Sequence, residues 1–390
     1  MRILHTSDWH VGKVWKQRKR LDEMARVLDH LADFVERERI DLVLMSGDVF
    51  DTPVPPAEAE RMVFAFFKRI GLAGTESVLI AGNHDSPARL AAWGQLSELV
   101  RCHVVARPAN VGAGGTLELD VCAGQRAVIA ALPFAGVRQL LSGVELVDDA
   151  HKAKEQTYPH RMAQVIRHLS GAFRPDAVNL FMAHTFVDGA IISRSERMVH
   201  VGDEWAIDPQ ALPKDADYIA LGHVHKPQTI DGIPAIAHYA GSPLQLDFNE
   251  VNEDKHFLVI EAEPGVRPTV EAVPYEGGRP LVDLRATLEE IERDAEALGR
   301  AGWIRVTVPL TAPDPDLATA VRRLLPNAVV VKVELPEQAA NDDSDRPPPG
   351  APAAEVFSAY YRRHHERAPA PELLAAFRDL YDEETEDEVE

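Results

Sequence analysis

Short apolar runs alternate along the chain with longer stretches in which apolar residues return every third or fourth position. Arg2–Leu4 has the character of a strand, and Leu21, Met24, Leu28, Leu31 and Val35 then keep the spacing of an amphipathic helix. Asp41–Met45 predicts the next strand, Met62–Ile70 the next helix and Val78–Ala81 the strand after it. Val178–Met182, Tyr218–Leu221, Ala235–His238 and Phe257–Glu261 are further strand-length runs. Strands alternating with helices predict an α/β core. Glycine and proline gather at Pro274–Pro280, a natural boundary. A smaller pattern follows: helix Leu284–Leu298, strand Trp303–Val308, helix Leu317–Leu325 and strand Val329–Val333. Residues 338–354 are polar and proline-rich, a linker composition, and two helical patterns lie beyond, Glu355–Glu366 and Pro371–Tyr381. The expected divisions are thus 1–275, 276–337, 338–354, 355–381 and an acidic tail at 382–390.

Polar motifs follow directly on the apolar runs of the first half: Asp8-Trp9-His10, Gly47-Asp48, Gly82-Asn83-His84-Asp85, Ala183-His184 and Gly222-His223-Val224-His225. This places them at the carboxyl ends of strands, where α/β sheets form ligand crevices. Together they offer oxygen and imidazole donors in the number and mixture that a hydrolytic two-metal site needs. If Asp8 and His10 lie on one extended segment, they point to the same side and serve one ion. Asp48 has two oxygens with which to bridge two ions roughly 3.5–4 Å apart. The expected sets are Asp8, His10, Asp48 and His225 on one ion, and Asp48, Asn83, His184 and His223 on the other. His84 is left beside the substrate as a proton donor or charge stabiliser, with Asp85 orienting its ring. Taken singly, each motif is also explained by a turn, a helix cap or a satisfied polar residue. Five in this order at strand ends make coincidence a poor explanation. His5, inside the first strand, is expected to be a hydrogen-bonded core residue, and Trp9 to pack beneath its loop.

Composition narrows the setting. The 390 residues carry 41 basic and 62 acidic side chains, a net charge of −21. This argues against binding nucleic acid through a general positive field, though two divalent cations would add about four positive charges locally. Seven acids in the last nine residues account for part of the excess. No run of eighteen apolar residues or signal-peptide segment is present, so no membrane span is expected. Two cysteines, Cys102 and Cys122, form no ligand pair and suit a cytoplasmic protein.

The five motifs resemble those of the calcineurin-like metallophosphoesterases, which implies a double β-sheet sandwich flanked by helices. Their surroundings, HTSDWHVGK, SGDVFDTPVPP, AGNHDSPARL, ALGHVHKPQ and YAGSPLQLDFNEVNEDKHFLVIE, are similar to the SbcD family of bacterial nucleases. The likeness is close over residues 1–275 and loose over the small α/β domain, which it implies is a cap that helps orient DNA. It implies a two-Mn2+ enzyme, Mg2+ being the alternative, with 3′-to-5′ exonuclease action on duplex DNA and endonuclease action on hairpins or single strands. It also implies a homodimer of nuclease chains within a heterotetramer with an SbcC-type ATPase, and roles in DNA repair, recombination and replication. The C-terminal helical pair resembles the segment that holds the base of the ATPase coiled coil, through Phe357, Tyr360, Tyr361, Leu373, Leu374, Phe377 and Leu380.

Lys13, Lys16, Arg18, Lys19 and Arg20 place five cations in eight residues, a pattern that suits DNA phosphates or, equally, a solvated helix entry. Arg89 is a second candidate for the phosphate path. Val63, Phe64 and Phe67 suit a dimer face or ordinary core. Two other readings compete with the nuclease: a phosphoesterase of a nucleotide, cyclic nucleotide or phosphoprotein, and a non-enzymatic scaffold. A complete ligand set weakens the second, and the extra domain and helical pair weaken the first.

Overall fold

In the computed structural model, residues 1–122, 124–136, 157–193, 195–196, 205–335, 352–365 and 367–377 are described. Most of the proline-rich stretch, Leu380 and the acidic tail lie outside them. Two six-stranded sheets form the larger of two compact units, Met1–Asp283 with Glu296–Arg305. One sheet runs β14 (Val266–Pro274), β13 (His256–Glu263), β1 (Arg2–Thr6), β4 (Leu42–Met45), β5 (Glu76–Ile80), β6 (Cys102–Val105). The other runs β11 (Gln228–Thr229), β12 (Ile236–Tyr239), β10 (Tyr218–Gly222), β9 (Val178–His184), β8 (Gln125–Leu132), β7 (Thr116–Cys122).

Alternation along each strand explains the layering. Ile3, Leu42, Leu44, Val78 and Ile80 face Ile129, Leu180, Met182, Tyr218 and Ala220 in a core between the sheets. Their neighbours Leu4, Val43, Met45 and Leu79 point outward to helices α1 (Leu21–Glu38) and α2 (Ala57–Leu72). On the second sheet Leu132, Phe181, Ala183, Ile219 and Leu221 face α4 (Tyr158–Ser170). Each central strand is therefore buried on both faces, which is why these runs are almost purely apolar. A third helix, α3 (Pro87–Ser97), starts at Ser86, whose hydroxyl accepts the Arg89 N–H.

The second unit comprises Leu284–Ala295 and the described residues from Val306 onward. Along residues 281–334 the chain forms a three-stranded sheet, β15 (Leu281–Arg285), β16 (Trp303–Pro309) and β17 (Ala328–Glu334), and the helices α5 (Leu288–Arg300) and α6 (Leu317–Leu324). Here a helix expected from Leu284 gives way to a strand, and the helix begins at Leu288. The cause is a capping box: the Thr287 hydroxyl accepts the Glu290 N–H at 3.3 Å, and the Glu290 carboxylate accepts the Thr287 N–H at 2.8 Å. The C-terminal pair is α7 (Ala353–His365) and a helical stretch at 371–377. Phe357 and Phe377 stack on each other with centroids 4.3 Å apart, while Tyr360 and Leu373 are exposed. In α2, Val63 and Phe67 are core residues and Phe64 alone of the three is exposed.

Candidate active site

The loop after β1 zips against the loop after β4. Asp8, His10 and Val11 donate backbone N–H groups to the Gly47, Asp48 and Val49 carbonyls, each at 3.0 Å. The segment carrying Asp8 and His10 is therefore not extended, contrary to the expectation from sequence. Asp8 has φ +51°, His10 +46°, Asp48 +51° and His223 +104°. Four candidate ligands thus occupy left-handed backbone that costs roughly 1–3 kcal/mol each and persists because its surroundings enforce it. Two glycines make room. A Cβ on Gly47, itself at φ +92°, would run into the His184 ring, and one on Gly82 would meet the Asp48 carboxylate and backbone nitrogen.

These loops bring the expected ligands together. Asp8, His10 and His225 present donor atoms all within 4.8 Å of one another, as do Asp8, Asp48 and His184, and His10, Asp48 and His84. Asp48 Oδ2 lies 3.5 Å from His184 Nε2 and 3.6 Å from His10 Nε2. Asn83 Oδ1 lies 3.0 Å from His184 Nε2 and 2.9 Å from His223 Nδ1. His10 Nε2 and His225 Nε2 face each other at 3.1 Å.

The donors fit divalent cations by their chemistry. The Ser46 carbonyl, which can only accept, sits 2.8 Å from His184 Nδ1. That nitrogen therefore carries a proton, and Nε2 is the atom left to face two oxygens, through a second proton when no cation is bound and through its lone pair when one is. Asp51 Oδ1 stands 3.2 Å from His10 Nδ1 as an ion-pair contact outside hydrogen-bond geometry, while His10 Nε2 faces the cluster. Acceptor atoms that face one another and buried carboxylates need a proton or a cation between them, and this oxygen–imidazole mixture suits first-row divalent ions. Electrostatics show how strongly the buried carboxylates attract positive charge to this point. Burial pushes the Asp8 carboxyl up. Burial also opposes ionisation of Asp48, but His184 and His10 hold it well below the usual carboxylate range. Burial would neutralise His184, yet Asp48 lifts its pKa to about 9.

His84 occupies the same pocket with a tenth of its side chain exposed, whereas His10 and His184 are fully enclosed. Its Nδ1 donates to the Asp51 carbonyl at 2.8 Å, which leaves Nε2 to exchange a proton. The orienting role expected of Asp85 thus passes to the Asp51 backbone. Asp85 instead accepts three backbone N–H groups, from Gly82 at 2.9 Å, Phe50 at 3.0 Å and Val49 at 3.2 Å. Burial, reinforced by Asp48, raises its pKa to about 7. Asp51, given no role from sequence, anchors both histidines: its side chain faces His10 and its carbonyl takes His84. Only its place three residues beyond Asp48 hints at this.

The basic run is not a uniform cationic patch: most of it forms a hairpin, and its last residue, Arg20, stands at the entry to α1. Val14–Trp15 (β2) and Arg18–Lys19 (β3) pair as a hairpin, with Lys16 at φ +47° and Gln17 at +63°, a two-residue type I′ turn. Lys16, Arg18 and Lys19 are exposed on it, with Arg18 over the Trp303 ring. Arg20 is a correction: it is buried, forks onto Glu23 at 2.7 and 3.0 Å and belongs to the fold. Lys13 pairs with Asp51 at 2.9 Å and Arg89 with Glu60 at 2.6 Å. His5 and Trp9 are as expected. His5 is enclosed between Tyr218 and Ser46, and Trp9 donates to Thr6 Oγ1 at 2.6 Å while packing on Phe66 and Phe67.

Comparison with known proteins adds the family. The calcineurin-like phosphoesterase family matches residues 1–227, and the type 5 capsule protein repressor C-terminal domain matches 278–365. The chain is 37% identical to the SbcD component of nuclease SbcCD from Bacillus subtilis over 290 residues, 73% of this chain and 72% of that one. It is 31% identical to the Escherichia coli K12 protein of the same name over 308 residues, 76% of this chain and 74% of that one. It is 28% identical to the Rhodobacter capsulatus protein over 375 residues, 91% and 90% of the two chains. Among the described residues no helix is long and apolar enough to cross a membrane.

Proposed function

The chain belongs to the calcineurin-like phosphoesterases and, within them, to the SbcD nucleases, and on that footing we propose a two-Mn2+ DNA nuclease that shortens duplexes from 3′ ends and cuts single strands and hairpins. The observation that carries this reading is the position of Asp48, whose carboxylate lies within 4.0 Å of nitrogens from His10, His84 and His184. Asp8, His10, Asp48 and His225 would hold one cation, and Asp48, Asn83, His184 and His223 the other. Bound there, the cations supply Lewis acidity to the phosphoryl oxygens and lower the pKa of the attacking water. The histidine share of the donors favours Mn2+ over Mg2+. His84 protonates the leaving oxygen or steadies charge on the phosphoryl group, held for that task by the Asp51 carbonyl.

Lys16, Arg18 and Lys19 contact DNA phosphates from the hairpin, a sequence-independent attraction. The α/β domain at 276–337 caps the DNA. The chain works as a homodimer with an SbcC-type ATPase, gripped by Tyr360, Leu373 and their neighbours on the terminal helices, in DNA repair, recombination and replication. Linear duplex labelled at its 5′ ends tests the proposal. Progressive shortening from the 3′ ends that requires Mn2+ supports it. Duplex that stays intact with both Mn2+ and the ATPase present overturns it.

A further inference from the structure

The ring of His225, a candidate ligand, is held through a hydroxyl, and the hydroxyl leads to a second buried carboxylate. Ser195 Oγ lies 2.6 Å from His225 Nδ1 and also contacts Glu250 Oε1. The other oxygen of Glu250, which is fully buried, accepts Lys255 Nζ at 2.8 Å and the Leu246 N–H at 3.0 Å. Lys255 also donates to the His225 carbonyl at 2.9 Å. Ser195 is itself placed by Glu196, whose buried carboxylate gathers the N–H groups of Ser193, Ser195 and His225 at 3.0–3.1 Å.

The direction of each proton follows from the ends of this chain of contacts. Lys255 keeps Glu250 ionised, and an ionised carboxylate only accepts. The Ser195 O–H must then point at Glu250, and its oxygen must accept from His225 Nδ1–H. Nδ1 is thereby committed, and the lone pair of Nε2 is turned toward His10 and the metal-ligand cluster.

We propose that Ser195 and Glu250 are positioning residues that fix the metal-binding tautomer of His225. The inference rests on the two-metal reading above. It separates two histidines that look alike in sequence: His10 Nδ1 faces the Asp51 carboxylate with nothing between them, whereas Ser195 stands between His225 Nδ1 and the Glu250 carboxylate 3.8 Å away. Glu250→Gln gives the sharpest variant, because a glutamine that keeps its oxygen on Lys255 offers N–H to Ser195. The serine proton then turns toward His225 Nδ1, and Nε2 becomes protonated.

Equilibrium dialysis of the full chain against Mn2+, with thermal melting in EDTA alongside, tests this. The parent should bind two ions. Ser195→Ala and Glu250→Gln should each weaken one of the two by about 10–100-fold, the range for loss of a partner behind a metal ligand. Ser195→Thr should bind as the parent does, and Ser195→Ala should melt in EDTA at the parent temperature. Parental affinity at both sites in Ser195→Ala overturns the inference alone. So does a fall in EDTA melting that threonine does not rescue, since it would make Ser195 a residue of the fold. A parent that binds no Mn2+ removes the two-metal reading, and the inference with it.

Discussion

Asp48 Oδ1 accepts the backbone N–H of His84 at 2.8 Å. The carboxylate at the centre of the ligand cluster therefore also sets the loop that carries the candidate proton donor. Ligands and acid are one construction, with Asp48 serving both. His84→Ala should leave Mn2+ binding intact and lower hydrolysis by about 10²–10⁴-fold, the range for a general acid or base. Turnover of a small chromogenic phosphodiester, measured beside Mn2+ dialysis, checks both halves. Loss of an ion in this variant would make His84 a ligand instead.

Gly82 shows how little space the site leaves. Its missing side chain is the room occupied by the Asp48 carboxylate. Gly82→Ala should displace Asp48 and the Asn83–His84 loop together. A misplacement of about 1 Å costs on the order of 10²-fold in rate, so a loss of that size is expected on the same phosphodiester. Parental turnover would show that the loops are not packed this tightly.

Much of the site is legible in the sequence, for a definite reason. Strands buried on both faces write unbroken apolar runs, and a polar residue at the end of such a run stands out. Asp8, Asp48, Asn83, His184 and His223 announce themselves that way. Asp51 and Ser195 do not, because they act on ligands that are distant in sequence or through backbone atoms, which carry no residue-type signal. Arg20 reads as surface because a charge does so by default, whereas its partner Glu23 sits one helical turn away and buries it. The extended geometry expected of Asp8 and His10 fails because loop-to-loop pairing, not strand continuation, fixes their backbone.

His5 supplies a pH signature from the core. It is fully buried, with Tyr218 Oη 3.0 Å from Nδ1 and Ser46 Oγ 3.1 Å from Nε2. Burial, with His238 adding to it, pushes its pKa down to about 3 from 6.5. Between those values the unfolded chain binds the more protons, so His5 contributes stability above pH 6.5 that is lost as pH falls. One proton gives a slope of about 1.4 kcal/mol per pH unit. Urea unfolding in EDTA at about pH 6 and about pH 4 should show His5→Asn losing less stability than the parent, by up to about 2.7 kcal/mol over the two units. Equal losses would mean the folded chain accepts the charge.

The hairpin at Val14–Lys19 is held from below by Trp15, which is buried against Phe248 with centroids 5.2 Å apart. Trp15 anchors the hairpin independently of its exposed cations, of which Arg18 also lies over the Trp303 ring. Lys16→Ala, Arg18→Ala and Lys19→Ala combined should weaken duplex binding and reduce the slope of log K against log salt by about 2.7, or about 0.9 per phosphate contact. Hydrolysis of the small phosphodiester should stay at the parent level. An unchanged salt slope would take the hairpin off the DNA path.

Anomalous diffraction from crystals grown with Mn2+ tests the central claim most directly. Two peaks roughly 3.5–4 Å apart are expected, one among Asp8, His10, Asp48 and His225, the other among Asp48, Asn83, His184 and His223. A single peak, or ions bound away from Asp48, would contradict the two-metal site.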